Sequence, residues 1–176
     1  MMNKLNENMK NYFLPISLIL IISLSRIIPH PYNFTPLLAV GIFSGFYFRQ
    51  FIVGLFVTIF AMFIGDLYLG FHNTMIFTYL ALIVPVALGI FIKRFKLIEV
   101  VVMGLISSIG FFLITNFGAW LTLDMYEKNL SGLINSYILA IPFFHNTLIS
   151  TFLYLLLLKV LFEFFINKKK ATKTLI

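Results

Sequence analysis

The chain has 176 residues, of which 61% are hydrophobic and 11% are charged, and it contains no cysteine. This composition leaves too little charged surface for a soluble domain and predicts an integral membrane protein. The lack of cysteine excludes disulfides and thiolate sites. The net charge of +7 does not indicate nucleic acid as a partner, because part of it lies in a tail after an apolar run, as on the cytoplasmic flank of a membrane helix. The tail lysines are Lys168, Lys169, Lys170 and Lys173.

Six apolar runs follow one another along the chain and predict one integral membrane domain over residues 1–176. The runs lie at about 12–28, 37–48, 51–69, 74–92, 97–118 and 143–166, and a cytoplasmic basic tail follows at 167–176. Three prolines between the first two runs, Pro29, Pro31 and Pro36, require a loop there. The predicted fold class is all-α, a polytopic bundle of about six transmembrane helices.

The second run is the shortest, and the sequence leaves open whether it fully spans the membrane. Twelve residues rising about 1.5 Å each cover about 18 Å, whereas the hydrocarbon core is about 30 Å thick. A single re-entrant hairpin over 37–69 is the alternative, but it would place Arg49 within the membrane at a high cost. We therefore predict two separate spans.

The segment 119–142 is polar at first and becomes apolar before Pro142. This pattern predicts a short interfacial helix at the outer face, which the proline separates from the last span.

Basic residues give the bundle an orientation. With the N-terminus in the cytoplasm, the inner segments contain ten lysines and arginines and the outer segments contain two, Arg26 and Lys128. This asymmetry predicts a multi-pass protein of a bacterial cytoplasmic (inner) membrane with both termini in the cytoplasm.

The polar residues that could carry function gather on the predicted outer side. Asp66 stands near the outer end of the third span, where an ionisable group is usually paired or faces a cavity, and its predicted partner is Arg26. We interpret the set as the lining of an outward-facing pocket, and the alternative is that it caps helix ends and loop backbone. The candidate ligand-binding residues are Arg26, His30, Asn33, Thr35, Asp66, His72, Asn116, Trp120, His145 and Asn146.

Motifs for other chemistry are missing. The three histidines and Asp66 could ligate a metal, but no histidine stands three or four residues from another ligand, so we predict neither a metal site nor a cofactor. No Gly-x-Ser-x-Gly, His-Glu-x-x-His or phosphate-binding loop occurs, and we predict no catalytic residue. An intramembrane enzyme without a recognisable motif remains an alternative.

Four segments resemble an uncharacterised family of small bacterial membrane proteins. They are RIIPHPYNFTP at 26–36, GDLYLGFH at 65–72, TNFGAW at 115–120 and AIPFFHNT at 140–147. That family is similar to the S components of energy-coupling factor transporters. The resemblance implies six helices, an outward pocket for a vitamin-like or metabolite ligand, and an energy-coupling module as partner. The first span lacks the Ala-x-x-x-Ala motif by which many S components dock, so a non-transporting accessory subunit of another membrane complex is the alternative function.

Overall fold

The computed structural model describes the backbone of residues 2–174 and the side chains of residues 13, 14 and 16–164. Over residues 2–174 the chain forms seven helical segments and no strand. They are α1 (Met2–Ile27), α2 (Leu37–Phe48), α3 (Phe51–Leu69), α4 (Met75–Ala81), α5 (Ile83–Phe91), α6 (Leu97–Thr122) and α7 (Leu130–Thr174). Only Leu82 separates α4 from α5, and the two form one apolar rod. The predicted all-α fold of six helices is therefore confirmed.

Three helical stretches are long and apolar enough to cross a membrane: Phe51–Leu69, Leu97–Thr122 and Leu130–Phe164. Three further apolar stretches are shorter, Ile16–Ile27, Leu37–Phe48 and Met75–Phe91. Large apolar side chains are exposed along the outside of the bundle, as they are in a protein surrounded by lipid. The chain is a membrane protein. The side chains of Lys4, Lys10 and the tail lysines, which the sequence predicts to be cytoplasmic, lie outside the described residues.

The short helix α2 lies in the centre of the bundle. Ten of its twelve residues are buried, and it contacts α1, α3, α5, α6 and α7. Since protein rather than lipid surrounds α2, its length does not have to match the thickness of the bilayer. This position explains how a run of twelve residues fits between longer helices.

Glycines allow α2 and α5 to approach until their backbones touch. A Cβ atom added to Gly45 would clash with the Val86 carbonyl oxygen, and one added to Gly89 would clash with the Ile42 carbonyl oxygen. Such contacts are typical of helix pairs in membranes, where small residues maximise van der Waals packing.

The two ends of the bundle differ. At one end, here called the basic end, Arg49, Lys93, Arg94 and Lys96 occupy the turns between α2 and α3 and between α5 and α6. Arg49 donates hydrogen bonds to the Ile90 carbonyl at 2.8 Å, in the last turn of α5, and to the Lys93 carbonyl at 3.3 Å, in the turn that follows. The opposite end, here called the cavity end, carries the loops 28–36, 70–74 and 123–129.

The predicted interfacial helix at 119–142 is wrong. Helix α6 continues to Thr122, and α7 begins at Leu130 and runs through Pro142 without interruption. A proline removes one backbone donor, which an apolar helix tolerates when neighbouring helices pack around it. The first turns of α7 pack along α6, because Ser136 donates to the Asn116 carbonyl at 3.3 Å and Tyr137 to the Leu113 carbonyl at 3.0 Å.

Candidate ligand-binding cavity

A cavity of about 840 Å³ lies at the cavity end, and 21 residues from the loops and from α1, α2, α3, α4, α6 and α7 line it. Small-molecule sites typically measure about 300–1,000 Å³. The short helix α2 begins only at Leu37, which leaves space next to its first turn. Leu37 and Leu38 of that turn line the cavity.

An ion pair forms part of the cavity wall. Arg26 donates from Nη2 to Oδ1 of Asp66 at 2.7 Å and from Nη1 to the Met62 carbonyl at 2.7 Å, while Tyr79 donates to the other carboxylate oxygen at 2.7 Å. The predicted pairing of Asp66 with Arg26 is confirmed. Asp66 is 1% exposed and lies behind Arg26, which faces the cavity. A side chain at Gly65 would clash with the guanidinium, so this glycine provides the space for Arg26.

Histidine and amide side chains add directional hydrogen-bonding groups to the wall. Nδ1 of His30 lies 2.8 Å from the Pro31 carbonyl, which can only accept, so Nδ1 carries the proton and Nε2 of the neutral ring is an acceptor. Nδ1 of His72 lies 2.8 Å from the Thr74 hydroxyl. Asn116 donates to the Phe112 carbonyl at 2.7 Å, which leaves its Oδ1 as an acceptor.

Six of the ten residues predicted to bind a ligand line this cavity, and four do not. The six are Arg26, His30, Asn33, Thr35, His72 and Asn116, and the four are Asp66, Trp120, His145 and Asn146. The common position of the six residues in one cavity wall supports a shared role in ligand binding, and that role stays a prediction.

The four residues outside the cavity have other surroundings. Asp66 holds Arg26 in place, Trp120 donates to the Glu127 carbonyl at 2.9 Å, and Asn146 donates to the Tyr32 carbonyl at 3.0 Å. These contacts anchor the loops 123–129 and 28–36 to the helices. His145 is exposed. The residues of α7 that line the cavity are those at 147, 150 and 151, and residue 145 lies on a different face of the helix.

Sequence reasoning missed most of the hydroxyl groups in the wall. Thr147, Ser150 and Thr151 occupy one face of α7, spaced three and four residues apart, and all three line the cavity. That spacing was the available signal, since it places polar groups on a single face of an apolar helix. The other missed hydroxyl groups in the wall belong to Tyr32, Thr74, Thr78 and Thr115.

Among the described residues that line the cavity, the charge is limited to one cation. Arg26 is the only lysine or arginine among them, and none of them is an aspartate or glutamate. In the part of the chain that the structure describes, no three side chains of the histidine, cysteine, aspartate and glutamate types form a group that could hold a metal ion. The wall therefore offers hydrogen bonds and one guanidinium to a ligand.

Comparison with known proteins gives a family. No curated protein and no solved structure matches the chain. Residues 6–174 match the profile described as "Family of unknown function (DUF6580)". Because the match extends over nearly the whole chain, the protein belongs to this family.

Proposed function

We propose that the protein binds a small vitamin-like or metabolite solute at the outer face of a bacterial cytoplasmic membrane and serves in its uptake, as an S component of an energy-coupling factor transporter does. The observation that carries this proposal is the cavity of about 840 Å³ with its polar wall. An accessory subunit has no need of such a cavity, so its presence favours a solute-binding role.

The basic end is closed, which suits binding from the other side. Phe46 stacks on Phe95 with ring centroids 4.5 Å apart, and Phe162 packs edge-on against both. The guanidinium of Arg49 lies 4.9 Å from the centre of the Phe46 ring. A solute that enters from the cavity end would therefore meet a packed aromatic layer before it reached the basic end.

The distribution of charge supports the proposed orientation. Four described basic residues, Arg49, Lys93, Arg94 and Lys96, stand in the turns of the basic end, and the positive-inside rule assigns that end to the cytoplasm. The two basic residues of the cavity end are bound within the protein: Arg26 pairs with Asp66, and Lys128 donates to the Trp120 and Leu123 carbonyls at the end of α6. The cavity then faces outward.

Energy for uptake would come from a partner or an ion gradient, since the chain contains no phosphate-binding loop. The expected partners are the lipid bilayer, the small-molecule ligand, and an energy-coupling module or another membrane protein. No role of nucleic acid is proposed.

Filling the cavity tests the proposed function. Ala119 lines the cavity, and Leu121, two residues further along α6, is exposed on the outside of the bundle. Ala119→Phe should remove ligand-induced thermal stabilisation and ligand co-purification, because its ring occupies the space of the solute, whereas Leu121→Phe should retain both. The measurements are thermal unfolding with a metabolite panel and native mass spectrometry of gently extracted protein.

The two variants also define the contrary result. If wild-type protein carries no ligand and no metabolite raises its unfolding temperature, or if Ala119→Phe binds as wild type does, then the cavity is not a solute site.

A further inference from the structure

The first turn of α2 presents backbone donors without acceptors. The first backbone hydrogen bond of the helix runs from the Val40 amide to the Pro36 carbonyl at 2.9 Å, and no side chain caps the helix. Within the described residues, nothing accepts a hydrogen bond from the amides of Leu37, Leu38 and Ala39. All three residues are at most 6% exposed. Buried amides of this kind normally have a partner, so the first turn of α2 is incomplete as it stands.

A second, independent group in the same cavity also lacks a partner. Thr151 on α7 is 1% exposed, it lines the cavity, and its hydroxyl makes no hydrogen bond. Its neighbours on the same face, Thr147 and Ser150, donate to carbonyl groups. A threonine hydroxyl that could bond within its own helix but does not is available to a bound molecule.

The buried groups without a partner, at the start of α2 and at Thr151, share one chemical character, which is that they can donate hydrogen bonds. The amides at the start of α2 are donors at the positive end of a helix dipole, and the Thr151 hydroxyl can donate. Arg26 uses two of its five N–H groups for Asp66 and Met62, which leaves three. The described residues of the lining include no carboxylate that could satisfy these donors. The missing partner is therefore rich in acceptors and is favoured if it is negatively charged.

We propose that the cavity binds a small organic acid whose carboxylate accepts hydrogen bonds from the first turn of α2 and from Thr151. This inference rests on the proposed function and names the class of its solute. A carboxylate fits better than a phosphate monoester because Arg26, the only cation among the wall residues that the structure describes, is already paired with Asp66. Leu38, Met62 and Phe111 give the rest of the acid an apolar surface.

Matched acids and amides test the charge requirement directly. The probes are phenylpropionate, 4-hydroxybenzoate and indole-3-acetate, each paired with its carboxamide, together with phenyl phosphate. Thermal unfolding of the purified full chain in detergent measures their apparent affinities. We expect at least one acid to stabilise the protein, its amide to bind at least tenfold more weakly, and phenyl phosphate to bind more weakly than the acid. Native mass spectrometry of gently extracted protein should find an acid as the co-purified molecule.

A fixed carboxylate at the start of α2 should take the place of the ligand. Thr35 lines the cavity immediately before Pro36, and Thr35→Asp places a negative charge at the free amides. We expect this variant to unfold at a higher temperature without ligand and to lose its response to acids. Ser131→Asp adds the same charge to the first turn of α7 outside the cavity, and its response to acids should equal that of wild type.

A hydroxyl deletion gives a second test that does not depend on the first. Thr151→Val should weaken binding of the acid about fivefold and leave the ligand-free protein as stable as wild type or more stable, because the deleted hydroxyl has no partner. Ser108→Ala removes another buried hydroxyl without a partner, on α6 and outside the cavity, and should not change binding.

The possible failures are separable. If the carboxamides bind as tightly as the acids, or if the co-purified molecule has no acidic group, the organic-acid inference is overturned and the proposed solute-binding function stands. If Thr35→Asp and Thr151→Val bind acids as wild type does, the assigned position of the carboxylate is wrong. If no probe binds and nothing co-purifies, both proposals fail.

Discussion

At the scale of single residues, the ion pair between Arg26 and Asp66 is the feature whose loss should cost most. Asp66 is fully buried, and Asp66→Ala would leave the Arg26 guanidinium largely buried without its counter-charge. Breaking a buried pair in this way typically costs about 3–5 kcal/mol. We predict a decrease of that size in the free energy of unfolding, measured by denaturant titration in detergent micelles.

The double variant separates charge from packing. Arg26→Met combined with Asp66→Leu removes both charges and keeps apolar volume, so it should recover most of the stability that Asp66→Ala loses. If the double variant is as unstable as the single one, the cost comes from lost packing rather than from an unpaired charge.

The sequence identified this pair because two ionisable residues in apolar surroundings have few possible partners. It did not identify Tyr79, the third member, because a tyrosine within an apolar run is as compatible with lipid or core as with a hydrogen bond. The hydroxyl groups at 147, 150 and 151 were not predicted to line the cavity for a similar reason, since a membrane helix can satisfy such groups with its own carbonyls. Of the three, only Thr151 leaves its hydroxyl without a partner.

At the scale of helices, the close contact between α2 and α5 predicts that replacing a glycine at this contact destabilises the protein more than replacing a glycine elsewhere. A Cβ atom at Gly89 would meet backbone atoms of Ile42 and Phe46, which cannot move without displacing α2. Gly89→Ala should therefore lower the free energy of unfolding by about 1–3 kcal/mol. The measurement is the same titration in micelles.

Gly110 provides the matched control on another helix. The nearest atoms to an added Cβ there belong to the Val84 side chain, the closest at 3.2 Å, and a side chain can adjust. Gly110→Ala should be neutral or should stabilise by up to about 1 kcal/mol through helix propensity. Equal effects of the two substitutions would contradict the assigned contact between α2 and α5.

Element positions followed closely from the sequence where apolar runs are bounded by prolines or by charged turns. Residues 37–48 and 51–69 are helical as the runs indicate, since Pro36 and the pair Arg49 and Gln50 interrupt the apolar pattern. The helix end predicted at Pro142 was wrong because a proline within a helix is tolerated where neighbouring helices pack around it. Here α6 packs along the residues of α7 that precede Pro142. The sequence could not show that α2 is central, because burial within protein and exposure to lipid both select apolar side chains.

At the scale of the whole molecule, the two ends of the bundle suit different tasks. The basic end is filled by Phe46, Phe95 and Phe162, and Phe95 keeps its place although its φ of 52° is unfavourable for a bulky residue. The cavity end leaves space above the start of α2. This asymmetry, rather than any single residue, supports the proposed binding of a solute from one side of the membrane.

The orientation that this use requires can be measured with single cysteines, because the chain has none of its own. Asp124 and Gln50 are exposed residues at the cavity end and the basic end. In intact bacterial cells, a membrane-impermeant maleimide should label Asp124→Cys at once and Gln50→Cys only after the membrane is permeabilised, because the basic end is expected in the cytoplasm. The reverse pattern would turn the cavity toward the cytoplasm, and since the aromatic layer closes the other end, the protein could then bind only solutes already inside the cell.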